Sequence, residues 1–156
     1  MSRSGYSDDL EPQELAMWRG QVASAIRGKR GQKMLMDLAA AMDAMPEKEL
    51  YAGRLQVDGG YCALGVVGAA RGVDLASVDM GEDDDYFEVD GIAHALNIAS
   101  QLAQEIMYIN DEWGGDYKIV DGKSKYCKET PAERWSRIRK WVQKRITTST
   151  TKGRGE

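Results

Sequence analysis

The chain has 156 residues, of which 42% are hydrophobic and 29% charged, proportions typical of one globular domain with a core independent of disulfides or metal ions. A net charge of -4 argues against general binding to nucleic acids or membrane surfaces, although local basic patches are compatible with it. The sequence lacks an apolar run long enough for a membrane span and begins without a signal-peptide pattern, which favours a cytoplasmic protein.

Two amphipathic helices are predicted at the start of the chain. Pro12 suits the first turn of the first helix, in which apolar residues recur at three- and four-residue spacing until Gly28. The second helix extends through Met45, and Pro46 stops it. Since the turn between them is very short, the two helices must pack as a hairpin or cross at a steep angle.

A central helix is predicted from about Tyr61 to Arg71, after a short strand within residues 50–57. No polar side chain interrupts it between Cys62 and Arg71, so it lacks a solvent face and should be covered by the other helices. Gly65 and Gly68 would let neighbouring helices approach it closely.

The second half of the chain combines helices with one small hairpin. An apolar stripe within residues 89–109 predicts a helical region, which Gly91 would divide. Tyr117–Val120 and Ser124–Cys127 flank an Asp-Gly turn and predict a β-hairpin. The sequence Thr-Pro-Ala-Glu at 130–133 is a capping box that begins the last helix.

These elements predict a mainly α-helical fold. We expect a single domain at residues 11–146, with about five helices packed around the central apolar helix and a minor β-hairpin. Residues 1–10 and 147–156 are polar and are predicted to be disordered.

Three residues are candidates for catalysis. Cys62 follows a glycine turn at the beginning of a helix, where the helix dipole favours a thiolate. His94, the one histidine, or Asp111 would have to assist it, but no spacing rule links either residue to Cys62. The alternative is a small buried cysteine at a tight helix entrance. One histidine and two distant cysteines give no metal-ligand pattern, and no metal or other cofactor is predicted.

A basic turn between the first two helices is the predicted anion site. Arg27, Lys29, Arg30 and Lys33 surround it, and the free N–H groups of the second helix point the same way. The turn lacks the phosphate-loop pattern, and few base-reading side chains follow Lys33 in a helix-turn-helix arrangement. A solvated turn without a ligand is the alternative.

A partner surface is predicted near the ends of the last two long helices. Asn110 and Asp111 end one of them, Trp113 follows in a glycine-rich loop, and Trp141 lies on the last helix. That helix carries six basic residues that predict a basic face: Arg134, Arg137, Arg139, Lys140, Lys144 and Arg145. Burial of Trp141, and a purely structural Asn-Asp helix end, are the alternatives.

Four segments, taken together, carry a resemblance to a known class of proteins. They are residues 18–32, Cys62-Ala63-Leu64-Gly65, residues 106–112 and residues 129–135. In this order they resemble an uncharacterised family of small proteins encoded by tailed bacteriophages and prophages, and a wider set with a C-x-L-G…N-D pattern. The resemblance spans about residues 15–146 and implies a viral accessory protein in the bacterial cytoplasm, but no reaction.

The leading functional hypothesis is therefore a non-enzymatic accessory protein that binds a host macromolecule or a small anionic ligand, in host takeover or counter-defence. A cysteine-dependent enzyme using Cys62 is one alternative. A nucleic-acid-associated protein using the first two helices is the other, and it is disfavoured by the net charge of -4. No membrane partner is expected, and the oligomeric state is not predicted.

Overall fold

The computed structural model describes Ser4, residues 10–78 and residues 85–147, with the side chains of 85–88 excepted. This part of the chain is a mainly α-helical single domain, as predicted. The elements are α1 Pro12–Arg27, α2 Lys29–Ala44, β1 Gln56–Val57, β2 Gly60–Tyr61, α3 Ala63–Ala70, α4 Leu75–Val78, α5 Asp85–Leu96, α6 Ser100–Glu112, β3 Asp116–Val120, β4 Lys123–Cys127 and α7 Pro131–Arg145. The predicted disordered ends, 1–10 and 147–156, lie almost wholly outside the described residues.

The turn between α1 and α2 is as tight as the sequence predicts. Gly28 is both the C-cap of α1 and the N-cap of α2. Gly31 is buried three residues later, and a Cβ there would overlap the Ala25 carbonyl oxygen of α1. The first turn of α2 therefore packs directly on the backbone of α1, which only glycine permits.

Helix α3 is the apolar centre of the fold, although it is shorter than predicted. It begins at Ala63 because Cys62 has extended backbone and serves as its N-cap. Every residue of Ala63–Gly68 is buried, and α3 packs chiefly against α2 and also against α6. Ala69 and Ala70 are exposed, so the prediction of a helix covered on all sides was wrong for its last turn.

Of the two glycines of α3, Gly68 serves the predicted helix–helix approach, whereas Gly65 does not. A Cβ on Gly65 would overlap the carbonyl oxygen of Leu55, in the segment just before β1. A Cβ on Gly68 would meet the side chain of Leu75 in the short helix α4. Gly65 thus lets α3 lie directly against the backbone of the segment before β1, where no side chain would fit.

The helical region after residue 85 divides at Asn97 instead of at Gly91. Gly91 lies inside α5, whereas Asn97 has φ 56°, in the left-handed region. The Asn97 N–H donates to the His94 carbonyl at 3.1 Å, and the Ile98 N–H donates to the Ala93 carbonyl at 3.0 Å. This pair of bonds is a Schellman motif, in which asparagine replaces the usual glycine and ends α5.

The predicted β-hairpin is present and slightly longer than expected. Strands β3 and β4 pair antiparallel, with Tyr117 opposite Tyr126 and Ile119 opposite Ser124. Asp121 and Gly122 have φ values of 54° and 76°, as a type I′ turn requires. The predicted strand within 50–57 shrinks to Gln56–Val57, which pairs with Gly60–Tyr61.

Replacement of Gly65 by alanine should destabilise the domain strongly. The added methyl group would overlap the Leu55 carbonyl oxygen, and moving that backbone costs about 1–3 kcal/mol or more. Gly20→Ala is the matched control, because a Cβ at Gly20, inside α1, meets no atom within 4 Å. It should raise the free energy of unfolding by about 0.5–1 kcal/mol. Urea unfolding of both variants checks this, and equal stability of Gly65→Ala and wild type would contradict it.

Candidate functional site

Cys62 is placed as a structural residue. It is 1% exposed, and its Sγ accepts a hydrogen bond from the Gly65 N–H at 3.4 Å, which caps the beginning of α3. A nucleophile must be reached by its substrate, and this sulfur is enclosed by the core. His94, in contrast, is exposed near the end of α5. The geometry therefore contradicts Cys62 as a catalytic candidate and favours the alternative of a buried cysteine at a helix entrance.

Asn110 is also structural, which corrects its assignment to a partner surface. The residue is 1% exposed. Its Oδ1 accepts from the Ala63 N–H at 3.1 Å, and its Nδ2 donates to the Tyr51 carbonyl at 2.9 Å. A side chain in α6 thus satisfies a free N–H group at the beginning of α3 and a carbonyl of the segment that leads to β1.

Asp111 continues this arrangement at the edge of the core. Its Oδ1 accepts from the Asn110 Nδ2 at 2.8 Å and from the Gly53 N–H at 3.1 Å. Gly53 has φ 93°, so the carboxylate holds a backbone bend that favours glycine. Asp111 therefore forms a hydrogen bond to the same segment as Asn110. The structure thus gives Asp111 a role in positioning the backbone.

Part of the predicted basic face of α7 is turned inward. Arg134 is 7% exposed, and its Nε donates to the Asn110 carbonyl at 2.8 Å. Arg137 binds the Glu129 carboxylate through two nitrogens, at 2.6 and 2.9 Å, and donates to the Ile109 carbonyl at 2.8 Å. These arginines satisfy the last carbonyls of α6, where the helix dipole also favours positive charge. The prediction of an exposed basic face was wrong for Arg134.

Arg139 is likewise engaged within the domain. Its guanidinium binds both carboxylate oxygens of Asp43, at 2.8 and 2.9 Å, and joins α7 to α2. This hydrogen bond from Arg139 lowers the pKa of Asp43 below its usual value, against the opposing effect of burial. Lys140 and Lys144 remain exposed, and neither forms an ion pair with any residue that the structure describes.

The basic turn is exposed but only partly available to an anion. Arg30 donates to the Asn97 Oδ1 at 3.3 Å, and Lys33 pairs with Asp37 at 3.2 Å. Arg27 and Lys29 are exposed, and Lys29 and Arg30 border a cavity of about 440 Å³ between the α1–α2 turn and the beginning of α6. Anion binding at this turn stays a prediction.

Gln32, in the first turn of α2, also stabilises this region, through hydrogen bonds to backbone groups. Its Nε2 donates to the Ile26 carbonyl at 2.7 Å and to the Arg145 carbonyl at 3.0 Å, while its Oε1 accepts from the Thr147 N–H at 2.8 Å. One side chain thereby joins the ends of α1 and α7. No sequence pattern indicated this role, because Arg145 and Thr147 lie 113 and 115 residues away from Gln32 along the chain.

The β3–β4 hairpin presents an exposed aromatic face. We use this name for Tyr117, Ile119 and Tyr126, which the strand register places on one side. Their exposures are 70%, 74% and 52%, and the two tyrosine rings meet edge to face with centroids 5.4 Å apart. The sequence predicted the hairpin, but it did not show that these three side chains lie exposed on it.

The hairpin is tied to the domain near its base. The Tyr126 hydroxyl donates to the Gly114 carbonyl at 3.0 Å, and Lys118 lies 3.8 Å from the Glu133 carboxylate. Glu133 belongs to the predicted capping box, which is confirmed, with Thr130 and Glu133 each accepting from the other's backbone N–H. The Thr130 backbone and side chain, followed by the Lys118 charge, lower the pKa of Glu133.

A cleft of about 730 Å³ lies between the end of α6 and the face of α7. We call it the α6–α7 cleft; Trp113, Ser136, Lys140, Trp141, Lys144 and Arg145 are among its lining residues. Trp113 is 50% exposed, whereas Trp141 is 6% exposed and belongs to the core. The two tryptophans predicted as partner surface therefore border one cleft, but Trp141 contributes little exposed area.

Arg145 covers the ring of Trp141 in this cleft. Its guanidinium carbon lies 4.4 Å from the ring centroid, and its Nη1 donates to the Trp141 carbonyl at 3.2 Å. Burial lowers the pKa of Arg145, which still leaves it protonated at neutral pH. The cleft thus holds a positive charge that is fixed in place.

The described residues contain neither a cluster of metal-ligand side chains nor a helix that could span a membrane. Across residues 10–78 and 89–147, no three histidine, cysteine, aspartate or glutamate side chains cluster in a way that could hold a metal ion. None of the helices in those ranges is long and apolar enough to cross a membrane.

No protein-family model, curated protein sequence or solved structure matches the chain.

The two cysteines should differ sharply in reactivity. Cys62 is buried, whereas Cys127 lies partly exposed at the end of β4, so a disulfide reagent should label only one thiol per native chain rapidly. In Cys127→Ser, rapid labelling should disappear and return on unfolding in urea. Fast native labelling of Cys62 in that variant would show that its sulfur is accessible after all.

Proposed function

We propose that this chain is a non-enzymatic binding protein that docks on a partner protein through the aromatic face of its hairpin. The supporting observation is the exposure of Tyr117, Ile119 and Tyr126 on one side of a two-stranded sheet. Large apolar side chains that lie together on a surface are a common mark of a protein interface.

The composition of the face agrees with a protein interface. Tyrosine is enriched among the residues that contribute most to binding energy, because it offers a large, rigid area and a polar hydroxyl. The Tyr126 hydroxyl is already bonded to Gly114, so its ring is held in position before a partner arrives. Less side-chain entropy is lost on binding when a ring is fixed in this way.

A second argument comes from the hairpin's own stability. A two-stranded hairpin is marginally stable in water unless it packs against another element. Strands β3 and β4 contact each other far more than they contact any described helix. All residues of the two strands except Cys127 are exposed. Docking of a partner on the aromatic face would supply the missing packing.

The charge of the hairpin indicates the chemistry of the partner. Lys118 and Lys125 face each other across the strands on the side opposite the aromatic face, and Lys123 follows at the turn. Because these lysines lie on the other side of the hairpin, we expect a partner that covers the aromatic face to present an apolar groove to it.

The biological setting follows from the sequence resemblance. A protein of the phage accessory type would meet a host protein in the bacterial cytoplasm, and the contact would serve host takeover or counter-defence. A single nucleic-acid strand stacking on the two tyrosines is the competing proposal, because aromatic rings interleaved with lysines also suit bases and phosphates. The buried sulfur of Cys62 gives the enzyme hypothesis no support.

The test compares partners captured from bacterial lysate by the wild-type chain and by the double variant Tyr117→Ser/Ile119→Ser. A partner specific to the face should be lost, and with the purified partner the Kd should rise at least about tenfold, as for residues that dominate an interface. Titration calorimetry of the purified pair measures this change.

Met36→Ser is the matched control, because Met36 is 52% exposed on α2, outside the hairpin. It should leave the Kd unchanged. Equal affinity of wild type and double variant for every captured protein would refute the proposal. Salt-sensitive retention of single-stranded DNA, lost in the double variant while no protein is captured, would favour the nucleic-acid alternative instead.

A further inference from the structure

We infer that the α6–α7 cleft is a binding site for a small anionic ligand with a flat ring, of the nucleotide class. This site is separate from the aromatic face, since none of its lining residues belongs to β3 or β4. The inference is independent of the proposed protein partner.

The four cations that line the cleft, Arg137, Lys140, Lys144 and Arg145, outnumber its two carboxylates, Glu129 and Glu133. Arg137 also borders the cleft, but the Glu129 carboxylate binds it through both oxygens. Lys140, Lys144 and Arg145 have no carboxylate within ion-pair distance among the residues that the structure describes. These three cations lie within about one and a half turns of α7, close enough to contact one phosphate chain together.

Spacing along α7 places polar groups in a row. Ser136, Lys140 and Lys144 are four residues apart and therefore share one helix face, which lines the cleft. The Ser136 hydroxyl can donate to a phosphate or sugar oxygen beside the first lysine. Glu133 lies one turn nearer the beginning of the helix and pairs with Lys118, so the positive charge is concentrated toward the end of α7.

An aromatic platform lies on the opposite side of the cleft. Trp113 follows α6 and is 50% exposed. Tyr108 meets it edge to face, with centroids 6.2 Å apart and an interplanar angle of 75°. An edge contact supports the indole and leaves a ring face on which a base can stack.

The size of the cleft agrees with the ligand class. Its volume of about 730 Å³ falls within the range of roughly 300–1,000 Å³ that is usual for small-molecule sites. A bare phosphate would leave the tryptophan side empty, and an uncharged ring would leave the lysines without a partner. Only a ligand that carries both groups uses the whole site.

The experiment measures binding of ATP, pyrophosphate and adenosine to the full chain by titration calorimetry, with tryptophan fluorescence as a second signal. ATP should bind most tightly, and removal of either the ring or the phosphates should raise the Kd at least about tenfold. Lys140→Gln/Lys144→Gln should weaken ATP and pyrophosphate at least about tenfold while adenosine is unaffected. Trp113→Leu should weaken ATP and adenosine but leave pyrophosphate unchanged.

Lys123→Gln/Lys125→Gln is the control, because it removes the same charge from exposed lysines of the hairpin. It should leave ATP binding unchanged. Lack of ATP binding, an equal loss in this control, or pyrophosphate binding as tightly as ATP would each overturn the inference. Circular dichroism confirms folding, which the exposed positions of all four lysines favour.

Discussion

The rest of the fold depends on the buried amide of Asn110. Its oxygen caps the first N–H of α3, its nitrogen holds the Tyr51 carbonyl and the Asp111 carboxylate, and its backbone carbonyl accepts from Arg134. One residue of α6 thus joins the central helix, the segment before β1 and the last helix. Because buried polar groups are costly without partners, these hydrogen bonds favour the observed arrangement of the three elements.

The same arrangement gives a physical meaning to the C-x-L-G…N-D pattern. Cys62 caps α3 through its sulfur, Leu64 fills the core, and Gly65 admits the Leu55 backbone. Asn110 and Asp111 then hold that segment from the side of α6. Each residue of the pattern is explained by packing or by backbone hydrogen bonds. The binding function is therefore proposed for the surfaces that these contacts leave open, the aromatic face and the α6–α7 cleft.

Local signals predicted much of the fold. The capping box at Thr130, the Asp-Gly turn and the apolar run of α3 each act within a few residues, so their structures follow from neighbouring side chains alone. Asn97 shows the limit of such signals, because both Gly91 and Asn97 can end a helix and only the packing of α5 against α6 decides between them.

The candidate site was less predictable, because burial depends on distant partners. Asn110 and Arg134 carry polar groups that usually lie at the surface, and their contacts with Tyr51 and Leu50 join residues 59 and 84 positions apart. The sequence predicted Trp113 and Trp141 as partner-surface residues. Only the fold shows that Trp113 is half exposed and Trp141 is buried.

The free energy of unfolding of Asn110→Ala tests the central claim most directly. Loss of the amide would leave the Ala63 N–H and the Tyr51 carbonyl without their partner, so urea unfolding should show a loss of about 2–4 kcal/mol. Gln104→Ala, also on α6, is the control and should change stability by less than about 0.5 kcal/mol. Unchanged stability in Asn110→Ala, with partner or ligand binding lost, would contradict the account and return Asn110 to the functional surface.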